Sequence, residues 1–384
     1  MWNSLRSVSR RDFFRATAVG GSVAALHLGG FAQPGGGPRA DESSTSRSDS
    51  GAEFITPETQ SAIDRGLALL AQSQGADGSF GSHITGAAAG IAGLSGLALL
   101  GAGHQPGRGK YGKNVSRAVD YVTGLVAGTN PGFLSDTPLA RVSTQPRAMY
   151  SHGFASLFLA EVCGMLPEAQ RQKRVRAVLE KATAFGASTP NTEGGWRYEP
   201  NAPFADVSVT VAMMMGLRAA RNAGVFVRKD VVRRGAKYIR ECQVADGGFC
   251  YIKGAGPSAF ARSAAAVVGL YSASIPEDER VNGRAIERGL QYLQQFTPNH
   301  SFNPRPAIPA DYYYYGQYYA ALAMWSAGGD YWRTWFPAIR DELLGRARAN
   351  GGTWGDNRHG SAYATAMSLI VLQLPNNYLP ILQK

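Results

Sequence analysis

The sequence predicts an all-α fold, an α/α-toroid in which six helix hairpins close into two concentric rings, an (α/α)6 barrel. Three observations lead there. A hairpin-sized unit recurs along the chain at a near-constant period, and Gly-rich turns rather than β-branched runs punctuate it. Within each unit an amphipathic helix pattern is followed by one that is apolar nearly all round.

The first residues read as an address. Ser9-Arg10-Arg11-Asp12-Phe13-Phe14 places paired arginines ahead of aromatic residues, and Ala16–Ala32 carries no acidic or basic side chain apart from His27. Gly30-Phe31-Ala32 supplies small residues where a signal peptidase needs them, so residues 1–32 resemble a bacterial twin-arginine signal cleaved after Ala32. The protein is then expected in the periplasm or another extracytoplasmic space. Retention as an anchor stays open, although the apolar run is short for a full membrane span. Residues 33–56 read as a disordered Gly/Ser/Asp linker, and 57–384 as the six-repeat toroid.

The repeat shows best in two copies. Arg65-Gly66-Leu67-Ala68-Leu69-Leu70 leads to Gln74-Gly75-Ala76-Asp77-Gly78-Ser79-Phe80, and Arg234-Gly235-Ala236-Lys237-Tyr238-Ile239 leads to Gln243-Val244-Ala245-Asp246-Gly247-Gly248-Phe249. Weaker copies place marker aromatics at Phe133, Trp196, Phe302 and Trp354, so that every interval is 52 or 53 residues except the 63 between Phe133 and Trp196. The first helix of a unit has a wet face: in Val231–Cys242, Val232, Ala236 and Ile239 lie opposite Arg233, Lys237 and Arg240. The second, as in Val207–Ala219, has none and must be buried. Six buried helices, each entered from the same kind of hairpin, run parallel and gather their N-termini at one mouth.

Composition narrows the partners. The 384 residues are 44% apolar and 17% charged, enough to bury a large core. A net charge of +11 suits anionic ligands or peripheral contact with an anionic membrane surface; without a basic block interleaved with aromatics it does not indicate nucleic acid. Three cysteines support no disulfide framework, and a Cys242–Cys250 link is left open.

Gln-x-x-x-Gly-x-aromatic, complete at Gln74–Phe80 and Gln243–Phe249, resembles the QW motif of the squalene and hopene cyclases. Gly194-Gly195-Trp196 followed by Asp206-Val207-Ser208-Val209-Thr210 is similar to the phrasing of prenyltransferase and squalene-cyclase repeats. The resemblance covers roughly 57–384 and implies the α/α-toroid, with the Gln and the aromatic tying adjacent units together. It does not bring the chemistry with it. The clustered aspartates of protonating cyclases, the Asp-Asp-x-x-Asp of ionising synthases, and the Asp-x-Cys of zinc prenyltransferases are all missing.

What remains lies at the starts of the apolar helices. His83, His152 and His359 on neighbouring staves are candidates for holding zinc or another divalent metal, though no cofactor is evident; capping or packing is the plainer role for each. Asp206 and His359 are candidate acids, with Asp206 also a natural helix cap. Arg147, Arg197, Arg262 and Arg358 can join six helix N-termini in an anion site. Tyr312, Tyr315 and Tyr319, with Met214, either line an apolar cavity suited to an isoprenoid chain or plug the barrel. The leading expectation is a toroid that binds an apolar, isoprenoid- or lipid-like molecule. The alternatives are a divergent cyclase or prenyltransferase-type enzyme and a structural or protein-binding module.

Overall fold

A computed structural model describes residues 51–81, 88–125, 132–137, 148–298 and 306–382. The leader, the linker up to residue 50, His83, Arg147 and Phe302 lie outside the described residues.

Twelve α-helices are present among the described residues, in six outer–inner pairs. The outer helices are α1 (Pro57–Gln72), α3 (Gly112–Gly124), α5 (Ala169–Ser188), α7 (Lys229–Glu241), α9 (Glu279–Gln294) and α11 (Gly329–Ala349). The inner ones are α2 (Ala88–Gly101), α4 (Ala148–Val162), α6 (Val207–Asn222), α8 (Phe260–Ala273), α10 (Tyr313–Ala327) and α12 (Ser361–Gln373). Each inner helix packs on the next, and α12 returns to α2, so the inner ring closes. Side chains fasten the seam: Gln373 Nε2 donates to the Ala98 carbonyl at 3.1 Å, and Arg348 pairs with Glu58.

Periodicity explains which helix goes where. In α7 the residues Val231, Val232, Gly235, Ala236, Tyr238 and Ile239 are buried, while Arg233, Arg234 and Lys237 face solvent. All of α2 is buried, which needs small residues: a Cβ on Gly93 would stand 2.8 Å from the Phe154 carbonyl oxygen of α4. Packing begins ahead of α1, because Gly51–Phe54 form a 3-10 turn whose Phe54 ring lies 5.6 Å from that of Phe336. The three cysteines are free and buried, with the Cys250 thiol donating to the Cys242 carbonyl at 3.1 Å.

Two devices set the register between hairpin and neighbour, the first in two of the units and the second in three. The first is the Gln of the turn. Gln243 Nε2 donates to the Gly247 carbonyl at 2.9 Å and to Ala285 of the next outer helix at 2.8 Å, and Gln74 repeats this with Gly78 and Asn114, both at 3.0 Å. It therefore bridges to a carbonyl inside the next helix rather than to that helix's unpaired end groups. The second device is a backbone N–H held by a polar side chain one turn into the inner helix. Trp196 N–H donates to Thr210 Oγ1 at 3.0 Å, Phe249 N–H to Ser263 Oγ at 2.8 Å, and Leu134 N–H to His152 Nδ1 at 3.1 Å.

That equivalence moves one expectation. Leu134, not Phe133, is the second unit's marker, and Gly132 stands two residues before it as Gly194 and Gly247 do before theirs, at φ +84°, +91° and +89°. Phe133 packs beside the register bond instead, 5.7 Å from the His152 ring. At Gly247 a Cβ would lie 2.6 Å from the Arg288 carbonyl oxygen of the next outer helix, so left-handed backbone and close approach coincide. Gly247→Ala is expected to lower unfolding free energy by about 3 kcal/mol or more. Gly254→Ala, also at positive φ (+72°) but facing open space, should lose only about 1–2 kcal/mol in the same urea titration. Equal losses would remove inter-repeat contact as the cause.

Candidate functional site

A cavity of about 740 Å³ opens at the end of the barrel where the inner helices begin. All six inner helices contribute from or beside their first turns: Gly90, Tyr150, Ser208, Ala261, Tyr315 and Tyr363. The expected convergence of N-termini at one mouth is therefore present. The wall is rich in aromatic side chains, with Tyr198, Tyr251, Tyr292, Phe260 and Phe296 from the third to fifth units. The opposite end of the barrel is closed by the C-terminal turn, where Ile381 is buried and its N–H donates to Glu161 Oε2 at 3.4 Å.

Beneath the cavity, rings from opposite staves meet across the axis. Tyr150 of α4 and Tyr315 of α10 lie edge to face at 6.5 Å, and one turn deeper Phe154 and Tyr318 do the same at 6.2 Å. The tyrosine stripe therefore divides. Tyr312 and Tyr315 line the cavity, whereas Tyr319 is fully buried under Tyr315 at 4.7 Å and serves as plug. Met214 is also corrected: it is 1% exposed, and a Cβ on Gly235 of α7 would touch its sulfur at 2.7 Å, so it packs toward the outer ring.

His152 departs furthest from expectation. Its Nδ1 is occupied by the Leu134 N–H, and its ring packs on Phe185 at 5.2 Å, on the outer side of its stave. Burial pushes its pKa down to about 4, so it is neutral and already bonded. It fills the position that Thr210 and Ser263 fill in their own units, and it is not available as a metal ligand. Among the described residues no three His, Cys, Asp or Glu side chains are grouped to hold a metal ion.

His359 does reach the cavity. Asp356 Oδ1 lies 3.1 Å from its Nδ1 and accepts its backbone N–H at 2.6 Å, while its ring rests on Tyr363 at 4.7 Å. Burial raises the Asp356 pKa, but the bonds from His359 outweigh it and hold that carboxyl below its usual range. Asp206 is wholly buried and caps α6, Oδ1 accepting the Val209 N–H at 2.9 Å. Its Oδ2 has no partner within ordinary hydrogen-bond distance, though the Tyr251 hydroxyl on the cavity wall is near enough to favour the charged carboxylate. Burial raises its pKa to about 6, against the Val209 bond and the charge of Arg197.

Cations stand at the rim. Arg358 bridges to Asp311 at 3.1 Å and lies 5.7 Å from the Tyr312 ring centre; Arg262 donates to the carbonyls of Phe249 (3.2 Å) and Pro257 (2.7 Å). Arg197 stands behind the wall instead, over the rings of Tyr198 and Tyr251 at 5.2 and 5.8 Å.

Tyr150, Tyr198, Tyr251 and Tyr363 are site residues that sequence reasoning passed over. Register would have found them. Tyr198 and Tyr251 follow the markers Trp196 and Phe249 by two residues, while Tyr150, Ser208, Ala261 and Tyr363 precede the polar residues His152, Thr210, Ser263 and Thr365 by two. Both offsets point at the mouth.

No family model matches the sequence, and no curated protein does. Solved structures do match in shape. The type II terpene cyclase MstE from Scytonema, bound to its substrate geranylgeranyl dihydroxybenzoate, superposes with a TM-score of 0.54 at 14% identity, over 85% of this chain and 99% of that one. A second MstE structure holds the product merosterolic acid A, at 0.54 and 13%, over the same shares. A glycosidase in complex with glucose reaches 0.52 at 16% identity, covering 86% of this chain and 99% of its own. The chain thus has the α/α-toroid fold that terpene cyclases share with glycosidases.

The His152 geometry has a consequence in solution. The unfolded chain binds a proton on this ring below about pH 6.5, the folded chain only below about 4, so the stabilisation is complete above 6.5 and is lost as pH falls through that window. The loss attributable to His152 amounts to about 3 kcal/mol. His152→Gln, which retains an acceptor for the Leu134 N–H, should be less stable at pH 7 and show a flatter acid dependence between pH 6.5 and 4. A mutant curve parallel to wild type would refute the assignment.

Proposed function

We propose that the chain is an exported binding toroid whose central cavity takes an apolar, isoprenoid- or lipid-like molecule with an acidic group at the cationic rim. One observation carries this reading: a cavity of about 740 Å³, lined by Tyr and Phe side chains from the second to sixth units, has Arg358 and Arg262 at its mouth. The volume falls within the range of small-molecule sites, and inner-helix N-termini add to the positive potential at the rim. That MstE structures hold a geranylgeranyl-bearing substrate in the same fold supports the ligand class. The twin-arginine-like leader over 1–32 is the proposed export signal, and the basic surface favours peripheral contact with anionic lipid. Native mass spectrometry and organic extraction of the purified protein should release a stoichiometric apolar acid, with occupancy falling at least several-fold in Arg358→Gln. A protein recovered empty from its native host would sink the reading.

A second reading rests on Asp206. A carboxyl with its pKa raised to about 6, its Oδ2 unbonded and Tyr251 between it and the cavity, is equipped to give up a proton near neutral pH, which would make the toroid a divergent cyclase-type enzyme. Asp206→Asn keeps the cap acceptor and deletes the acidic proton. Conversion of the extracted molecule should then stop while binding persists; turnover surviving in both Asp206→Asn and His359→Ala would dismiss the enzymatic role.

A further inference from the structure

The cavity wall at the first turns of the inner helices is not wholly apolar, although the lining residues one turn deeper, Leu94, Phe154 and Met367, are. Tyr150 and Tyr315 meet there from opposite staves, and Ser208 at the first turn of α6 brings its hydroxyl beside both. Behind them three buried polar atoms, Tyr315 Oη, Tyr319 Oη and Asp206 Oδ2, make no hydrogen bond. Buried polar atoms without partners are costly, and three of them gathered behind one stretch of cavity wall make that corner receptive to a polar atom. Tyr150 and Ser208 line the cavity and form the face of this corner that a ligand meets first.

A hydrocarbon end pushed into the corner would strip water from the Tyr150 and Ser208 hydroxyls and return no bond, which is the arrangement that disfavours binding most. A ligand oxygen would accept from one hydroxyl and, where it carries a hydrogen, donate to another. Burial and the neighbouring Asp206 carboxyl both lift the Tyr150 phenol well above its usual range, so it stays a neutral donor. The cavity therefore offers two kinds of polar contact: cations at the rim, and neutral hydroxyls about the axis at the level of Tyr150 and Ser208.

We infer that the Tyr150–Ser208 hydroxyl pair, backed by Tyr315, is a subsite for a neutral oxygen, so that the ligand is an apolar chain or ring system that carries a hydroxyl or carbonyl apart from its acid. This rests on the binding reading above and specifies which member of the apolar class fits.

Hexadecanoic acid and 16-hydroxyhexadecanoic acid separate the two claims, because they share the acid and chain and differ only at the far end. By titration calorimetry on the purified protein, the hydroxy acid should bind about ten-fold tighter, the worth of one net hydrogen bond. That advantage should shrink to within about two-fold in Tyr150→Phe and in Ser208→Ala, with hexadecanoic acid itself bound as well or better. Equal affinities in the wild-type protein, the result expected if ordered water already satisfies the corner, would overturn the oxygen subsite and leave the binding reading standing. An undiminished preference in both variants would overturn it as well. Failure of either acid to bind would overturn the binding reading itself.

Discussion

The register of the toroid's middle repeats depends on a buried hydrogen bond, seen in the second, third and fourth hairpins, from the N–H of a turn residue to a polar side chain one helical turn into the inner helix. It is a small interaction, worth about 1 kcal/mol net, but leaving that N–H buried and unpaired would cost about 1–3 kcal/mol. Its larger effect is geometric. Once Trp196 is fixed to Thr210, or Phe249 to Ser263, the residue two after the marker and the residue two before the polar partner must both turn toward the mouth. Tyr198 with Ser208, and Tyr251 with Ala261, are placed in this way. A structural bond shared by three neighbouring units thus decides which of their side chains a ligand can meet.

The inner ring has a difficulty that the sequence solves with aromatic residues. Six parallel helices around an axis leave a channel, and an unfilled apolar channel forfeits dispersion contacts along its whole length. Small residues such as Gly93 draw neighbouring staves together, which narrows the channel, and rings from opposite staves fill what is left: Phe154 against Tyr318, then Tyr150 against Tyr315. Filling stops at the first turns because there the staves begin and the side chains no longer meet. The cavity is therefore the unfilled top of a packed barrel, and its floor is the uppermost layer of the plug. This explains why Tyr315 belongs to both.

Much of this was legible in the sequence, and the parts that were not share a cause. The period and the alternation of wet and dry helices are properties of a repeat, reinforced six times, and the two complete Gln-x-x-x-Gly-x-aromatic turns support them, so the pattern survives local variation. Single positions have no such support. The second unit lacks the Gly-x-aromatic spacing, so Phe133 looked like the marker when Leu134 bears the register bond. His152 suggested chemistry because histidine usually does, yet its counterparts Thr210 and Ser263 show that the position requires only an acceptor. Met214 and Tyr319 have the composition of a cavity wall but the wrong angle on the helix, and an apolar helix with no wet face offers no periodicity from which to read that angle.

The same reasoning bears on how far a shared fold can decide chemistry. A terpene cyclase and a glucose-binding glycosidase have this architecture at comparable similarity, so the scaffold alone chooses neither. The choice must be made by the side chains that the register bond turns inward. Here seven of the lining aromatics are tyrosines and three are phenylalanines, with serines interspersed. A wall for a bare hydrocarbon gains nothing from phenol hydroxyls, and at the floor it is penalised by them, since they would be buried without partners. A wall for a free sugar would need carboxylates and amides aimed at successive hydroxyls. The carboxylates near this cavity are otherwise engaged, Asp356 with His359 and Asp311 with Arg358, while Asp206 stands behind Tyr251. Aromatic faces with few, localised hydroxyls fit a mainly apolar molecule that carries oxygen at defined points, and the Tyr150 and Ser208 hydroxyls together with the cationic rim set which points they are.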